Sequence, residues 1–147
     1  WYAIRANLGG WSEEVYYSFL QIALLKIELN ASLNEVQNLL LATYEYRPQR
    51  AESLYHLARQ LRHHNKTRLA YIYATVAANI PLSKDILFVD HAIYEWKAKE
   101  ELAMSANSVG NYQLCHDLCV ELLFNPAVPE PNRKLLLDNL KLAKEHL

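Results

Sequence analysis

At 147 residues and 52% apolar content, the chain has the size for one domain and ample material for a core. Three glycines and five prolines leave little for the turn-rich connections of an all-β fold, and almost nothing for phosphate-cradling loops. A formal charge of −1 gives no global pull toward nucleic acid or an anionic membrane, and two cysteines make no disulfide framework.

Trp1–Leu8 reads as the tail of a helix stopped by Gly9-Gly10. The start at Trp1 carries no basic flank followed by an apolar stretch, so it is no signal peptide; it suggests a piece of a longer chain. Ser12 with Glu13 and Glu14 behind it predicts an N-cap and acidic first turn. From there Val15, Phe19, Ile22, Ala23 and Leu29 recur at helical spacing. The apolar run Phe19–Leu29 is too short, and too interrupted by Gln21, Lys26 and Glu28, to span a bilayer. Asn30-Ala31-Ser32 turns the chain, and Ser32 with Glu35 forms a capping box for a helix through Tyr46, ended by Pro48.

Ala51–Arg62 places Leu54, Leu57, Ala58 and Leu61 on one face. After the turn His64-Asn65-Lys66, Thr67–Asn79 returns with Ala70, Ala74 and Ala77, small residues that let two antiparallel helices approach closely. Leu82–Asp90 reads as an irregular insertion, with Ser83 or Asp85 capping a longer helix that carries Phe88, Ile93, Tyr94 and Trp96, then Leu102, Ala103 and Ala106. Past the turn Val109-Gly110-Asn111-Tyr112, the next helix turns Leu114, Cys115, Leu118, Cys119 and Leu122 inward. A proline-rich turn (Pro126, Pro129, Pro131) precedes a last helix, 131–146, with Leu135, Leu136, Leu140 and Ala143 on its apolar side.

Pro48, Pro81 and Pro126 thus each close an apolar helical segment. The first spacing fits the ~34-residue period of a tetratricopeptide-type repeat; the second is longer because of the insertion. The expected fold is all-α, a right-handed tetratricopeptide-like (TPR-like) superhelix of antiparallel helix pairs with a C-terminal capping helix. Its units are 12–48, 50–81 and 82–126, followed by the cap. Three segments are more specific than the spacing: Gly9–Tyr17, Tyr46–Tyr55 (Tyr-Arg-Pro-Gln-Arg-Ala-Glu-Ser-Leu-Tyr) and Leu87–Asp90 with Tyr94. Together they resemble the tetratricopeptide-like region that follows the catalytic domain in a group of family 2 (GT-A type) glycosyltransferases. The resemblance implies a parent polypeptide that transfers sugar from a nucleotide donor, but the GT-A Asp-x-Asp metal motif has no counterpart here. No catalytic residue is carried over, and no cofactor is implied.

In such repeats the first helix of each unit lines a concave groove. That places Tyr17 and Gln21 from unit one, Glu52, Tyr55, Arg59, Arg62 and His63 from unit two, and Lys97, Glu100, Met104 and Asn107 from unit three in a partner-binding face. Guanidinium forks beside tyrosine suit a carboxylate or phosphate, against the plainer alternative of a solvated helix face. Arg47, Arg50, Arg59, Arg62, Lys66 and Arg68 cluster in sequence with His56, His63 and His64 against the lone acid Glu52. With little aromatic interleaving, this cluster fits an acidic partner or neighbouring domain better than nucleic acid.

Cys115 and Cys119 share a helix face, but a closed zinc site needs four ligands, so core packing is the simpler role, with reduced thiols pointing to the cytoplasm. His56 and His63 could bind a metal two turns apart, though a pair of solvated histidines is commoner. Asp90, Glu95, Glu100 and Glu101 could line a cleft, but no nucleophile pairs with them. A Gly-rich phosphate loop, nucleophile elbow and His-Glu-x-x-His are all missing. The expectation is a non-catalytic interaction domain. It docks the adjoining catalytic domain or another protein or acceptor; alternatives are a free-standing peptide-binding module or a nucleotide-sugar or glycan site on the concave face.

Overall fold

The computed structural model describes residues 12–147; the expected helix tail at 1–10 and the Gly9-Gly10-Trp11 part of the first specific segment lie outside them. Among the described residues the chain is all-helical. The helices are α1 (Ser12–Glu28), α2 (Leu33–Tyr46), α3 (Glu52–His63), α4 (Thr67–Ala78), α5 (Ala98–Val109), α6 (Tyr112–Leu123) and α7 (Glu130–Glu145). A π-helical turn, Ile93–Lys97, leads directly into α5. No described helix is long and apolar enough to cross a membrane.

Local chemistry sets most boundaries. Ser32 Oγ accepts from the Glu35 backbone N–H at 3.2 Å, satisfying one of the four orphan donors that open α2. Asn30 and Asn65 take the left-handed conformation in the two tight turns, where asparagine is tolerated. Gly110, at φ 88°, ends α5, and Asn111 then caps α6 through its side chain.

Each helix packs on its chain neighbours, and α3 also meets α5, as α5 meets α7. The α3–α4 seam is built as the spacing predicts: Leu54, Leu57, Ala58 and Leu61 are buried against Ala70, Ala74 and Ala77. Ala70 has no exposed surface, so Ala70→Leu should overpack the pair and cost about 1–3 kcal/mol. A thermal or urea melt of that variant matching the unmodified protein would contradict this register.

Several expectations require correction. On α1 the buried seam is Val15, Tyr16, Leu20 and Ala23, whereas Leu29 falls in the turn beyond the helix and is exposed. On α7 the seam is Leu136 and Ala143, with Leu140 partly buried; Leu135 lies one residue off that stripe, about 100° around the helix, and is half exposed. Neither Ser83 nor Asp85 caps a helix, because 81–90 has no helical turn. Ser83 Oγ instead accepts from the Asp85 N–H within the loop, leaving the Asp85 carboxylate for other partners. Phe88 belongs to this loop as well, not to the helix after it.

Candidate functional site

The loop 81–90 is anchored by a buried polar network, and its centre is Arg50. This side chain has 0% exposure and lies over the Tyr16 ring, 4.6 Å from guanidinium carbon to centroid. Its Nε and Nη2 both donate to the Glu52 carboxylate, with Nη2–Oε2 at 2.7 Å. Nη1 donates to Asp85 Oδ2 at 3.1 Å, and Nη2 also reaches the Phe88 carbonyl at 3.2 Å. Arg47 completes the set by donating to both Asp85 oxygens and to Ser12 Oγ.

Glu52 is equally enclosed, at 1% exposure. Besides Arg50 it accepts from the Tyr94 hydroxyl at 2.5 Å and from the Asp90 N–H at 3.3 Å. The Tyr94 oxygen in turn accepts from the Ala51 N–H at 2.9 Å, and Tyr16 accepts from the Ser53 N–H at 3.2 Å. The last two bonds serve two of the orphan N–H groups at the start of α3, which has no side-chain cap of its own. Tyr94 sits in the π-helical turn, a distortion that recurs at functional sites. Glu13 ties down the middle of the loop, accepting from the Ile86 and Leu87 N–H groups.

Burial opposes the charge on Glu52, but the Arg50 and Tyr94 hydrogen bonds prevail and hold its carboxyl below the ordinary range. The Arg47 hydrogen bond does the same for Asp85, despite partial desolvation. Burial pushes the Tyr16 phenol up to about 12, with the Glu52 charge adding to it.

Above this network lies a cavity of about 420 Å³, lined by Tyr17, Leu20, Gln21 and Leu24 from α1, Glu52 and His56 from α3, and Phe88, Val89 and Asp90 from the loop. Tyr17 and Phe88 stack at its edge, ring centroids 4.2 Å apart and 18° from parallel. Phe88 has φ 55°, a left-handed conformation that is a genuine outlier for a bulky residue. Burial lowers the His56 pKa to about 4, and the nearby Asp90 charge only partly offsets it.

The eleven groove residues expected from sequence divide accordingly. Tyr17, Gln21 and Glu52 do share one cavity, but Glu52 is spent on Arg50 and does not present a free carboxylate. Tyr55 is buried, not solvent-facing. Arg62 forks onto Glu101, joining α3 to α5, so it too is committed to the fold. Glu100 accepts from Asn132 of α7 at 2.9 Å; burial pushes its carboxyl up, and the neighbouring Glu101 charge adds to that. Arg59 and His63 are exposed along α3. Lys97 lies 5.8 Å over the Trp96 ring, and Met104 and Asn107 are half-buried on α5.

The basic cluster in the sequence is not a basic surface patch. Arg47, Arg50 and Arg62 are each neutralised by a carboxylate from elsewhere or close by, leaving Arg59, Lys66 and Arg68 at the surface. His56 is a cavity wall and not a solvated histidine, and no group of three or more metal-ligating side chains gathers among the described residues. Cys115 and Cys119 are fully buried with their sulfurs 4.0 Å apart, and burial pushes the Cys119 thiol up to about 12, which makes it a poor nucleophile.

The sequence reading missed Asp85 and Arg50 as network members, and Phe88 and His56 as cavity residues. Arg50 and Phe88 lie in stretches 46–55 and 87–90, which converge here with Tyr16 and Tyr17, whereas Asp85 and His56 lie outside them. No family model, curated protein or solved structure matches the chain.

Proposed function

We propose that the chain is a non-catalytic interaction module of the tetratricopeptide-like kind, a right-handed stack of helix pairs closed by α7. Its first-helix face docks the adjoining catalytic domain of a glycosyltransferase-like parent, or another protein partner. The observation that carries this reading is the packing order: beyond chain neighbours, α3 meets α5 and α5 meets α7, which lines up the helices bearing Arg59, His63, Lys97 and Met104. The chemistry along that face also favours binding over reaction, since its carboxylates are held by Arg50, Arg62 and Asn132. Reduced, buried thiols fit a cytoplasmic setting.

The test is charge reversal at two positions outside the polar network, Arg59→Glu with Lys97→Glu. Capture of the purified catalytic domain of the same parent should weaken about tenfold or more, with circular dichroism unchanged. Unchanged capture by a folded variant rejects this face as the docking surface. A parent reading frame without an adjoining sugar-transfer domain rejects that partner. The cavity beside Tyr17 then favours the second reading, a free-standing peptide-binding module. A nucleotide-sugar or glycan site is the lesser alternative, and the Asp90 carboxylate opposes a diphosphate there.

A further inference from the structure

The cavity between α1, α3 and the loop has a chemistry of its own, distinct from the Arg59–Lys97 face. Of the two carboxylates in its lining, Glu52 is matched by Arg50, whereas Asp90 makes no ion pair among the described residues and its own N–H is turned onto Glu52. His56 adds no compensating charge near neutral pH and makes no hydrogen bond among the described residues, so a ring nitrogen stands ready to accept one. Arg59 and Lys97 act on His56 from nearby, yet neither lines the cavity.

The aromatic edge is held in place at a conformational cost. Phe88 keeps a left-handed backbone because Arg50 donates to its carbonyl while its ring stacks on Tyr17. A backbone outlier fixed by its surroundings is the kind of strain that accompanies binding sites. A stacked aromatic pair beside an acceptor-rich wall that carries the Asp90 carboxylate attracts a cation through ring quadrupole and Coulomb terms together. The same wall disfavours phosphate and carboxylate groups.

We propose that this cavity takes the guanidinium or ammonium end of an arginine or lysine side chain from a peptide segment, with Asp90 as its counter-ion, Tyr17–Phe88 as its stacking surface, and Gln21 and His56 as hydrogen-bond acceptors. This rests on the reading of the chain as an interaction module and names the chemistry that one part of it selects. The apolar wall of Leu20 and Leu24 suits the methylene stem of such a side chain.

The experiment is an NMR titration of the whole chain with acetyl-Ala-Arg-Ala-amide and acetyl-Ala-Lys-Ala-amide. Acetyl-Ala-citrulline-Ala-amide serves as the uncharged isostere and methyl β-glucoside as the sugar control. Saturable shifts of the His56 and Phe88 ring resonances are expected with a basic peptide and not with citrulline or glucoside. Asp90→Asn, which leaves the Arg50 network intact, should weaken that binding about fivefold or more. Equal shifts with citrulline, shifts with glucoside, an unaffected Asp90→Asn variant, or flat titrations each overturn the assignment. Flat titrations alongside loss of partner capture by the Arg59→Glu, Lys97→Glu variant reject the cavity ligand and leave the interaction module standing.

Discussion

Replacing Arg50 with methionine is expected to cost about 3–5 kcal/mol, the loss seen when one partner of a buried ion pair is removed and the other charge stays. The apolar stem is largely preserved, so the loss comes from the head group. Glu52 and Asp85 each lose a hydrogen-bonded cation, the Phe88 carbonyl loses its donor, and Tyr16 loses its cation–π contact. For a chain of this length the melting temperature should fall by roughly 10 °C or more. Arg47→Met is the comparison: its side chain is partly exposed, and Arg50 still covers Asp85, so a loss nearer 1 kcal/mol is expected. Adding Glu52→Met to Arg50→Met should recover part of the stability, because it removes the stranded charge. Recovery stays incomplete, since Tyr94 and the Asp90 N–H then lose their acceptor. An Arg50→Met melt within about 1 °C of the unmodified protein would sink the claim that this network organises the loop.

How much of this could be read in the sequence depends on how local each signal is. The Ser32–Glu35 cap, the asparagine and glycine turns, and the alanine seam of α3 and α4 lie within one or two helical turns, and the structure has them where the spacing puts them. The Arg50 network lies at the opposite extreme. Its acid Asp85 comes from a loop far along the chain, and a charged run next to a proline reads equally well as a solvated surface. Sequence clustering therefore suggested a basic patch, whereas folding distributes Arg47, Arg50 and Arg62 among separate carboxylates. Helical phase puts Glu52 on the face that borders the cavity, but phase carries no information about a partner two residues earlier. His56 reads in the sequence as part of a basic run or as half of a histidine pair, because nothing local signals the loop that closes over it.

Between about pH 6.5 and pH 4 the folded state should lose up to about 3 kcal/mol through His56 alone. Its pKa in the fold is about 4, below the ordinary 6.5, so in this window the unfolded chain binds a proton that the folded chain refuses. The stability due to neutral His56 is thus complete above pH 6.5, declines as pH falls, and stops changing below pH 4. The groups acting on the imidazole pull both ways: Asp90 and Glu52 favour its proton, Arg59 and Lys97 oppose it, and burial outweighs them all. Glu52 and Asp85, held below their ordinary values, stay charged through most of this window and add their own loss only at lower pH. Urea midpoints at pH 7.5, 6 and 5 should fall steadily for the unmodified protein and much less for His56→Gln, while the exposed His63→Gln should leave the slope nearly unchanged. Equal slopes for the unmodified and His56→Gln proteins would place the acid sensitivity in the carboxylates instead. A proton on His56 would also set a positive charge in the wall proposed to receive one, so binding of the arginine peptide should weaken only as pH approaches about 4, where the folded protein takes up that proton, whereas folding stability declines already from about pH 6.5.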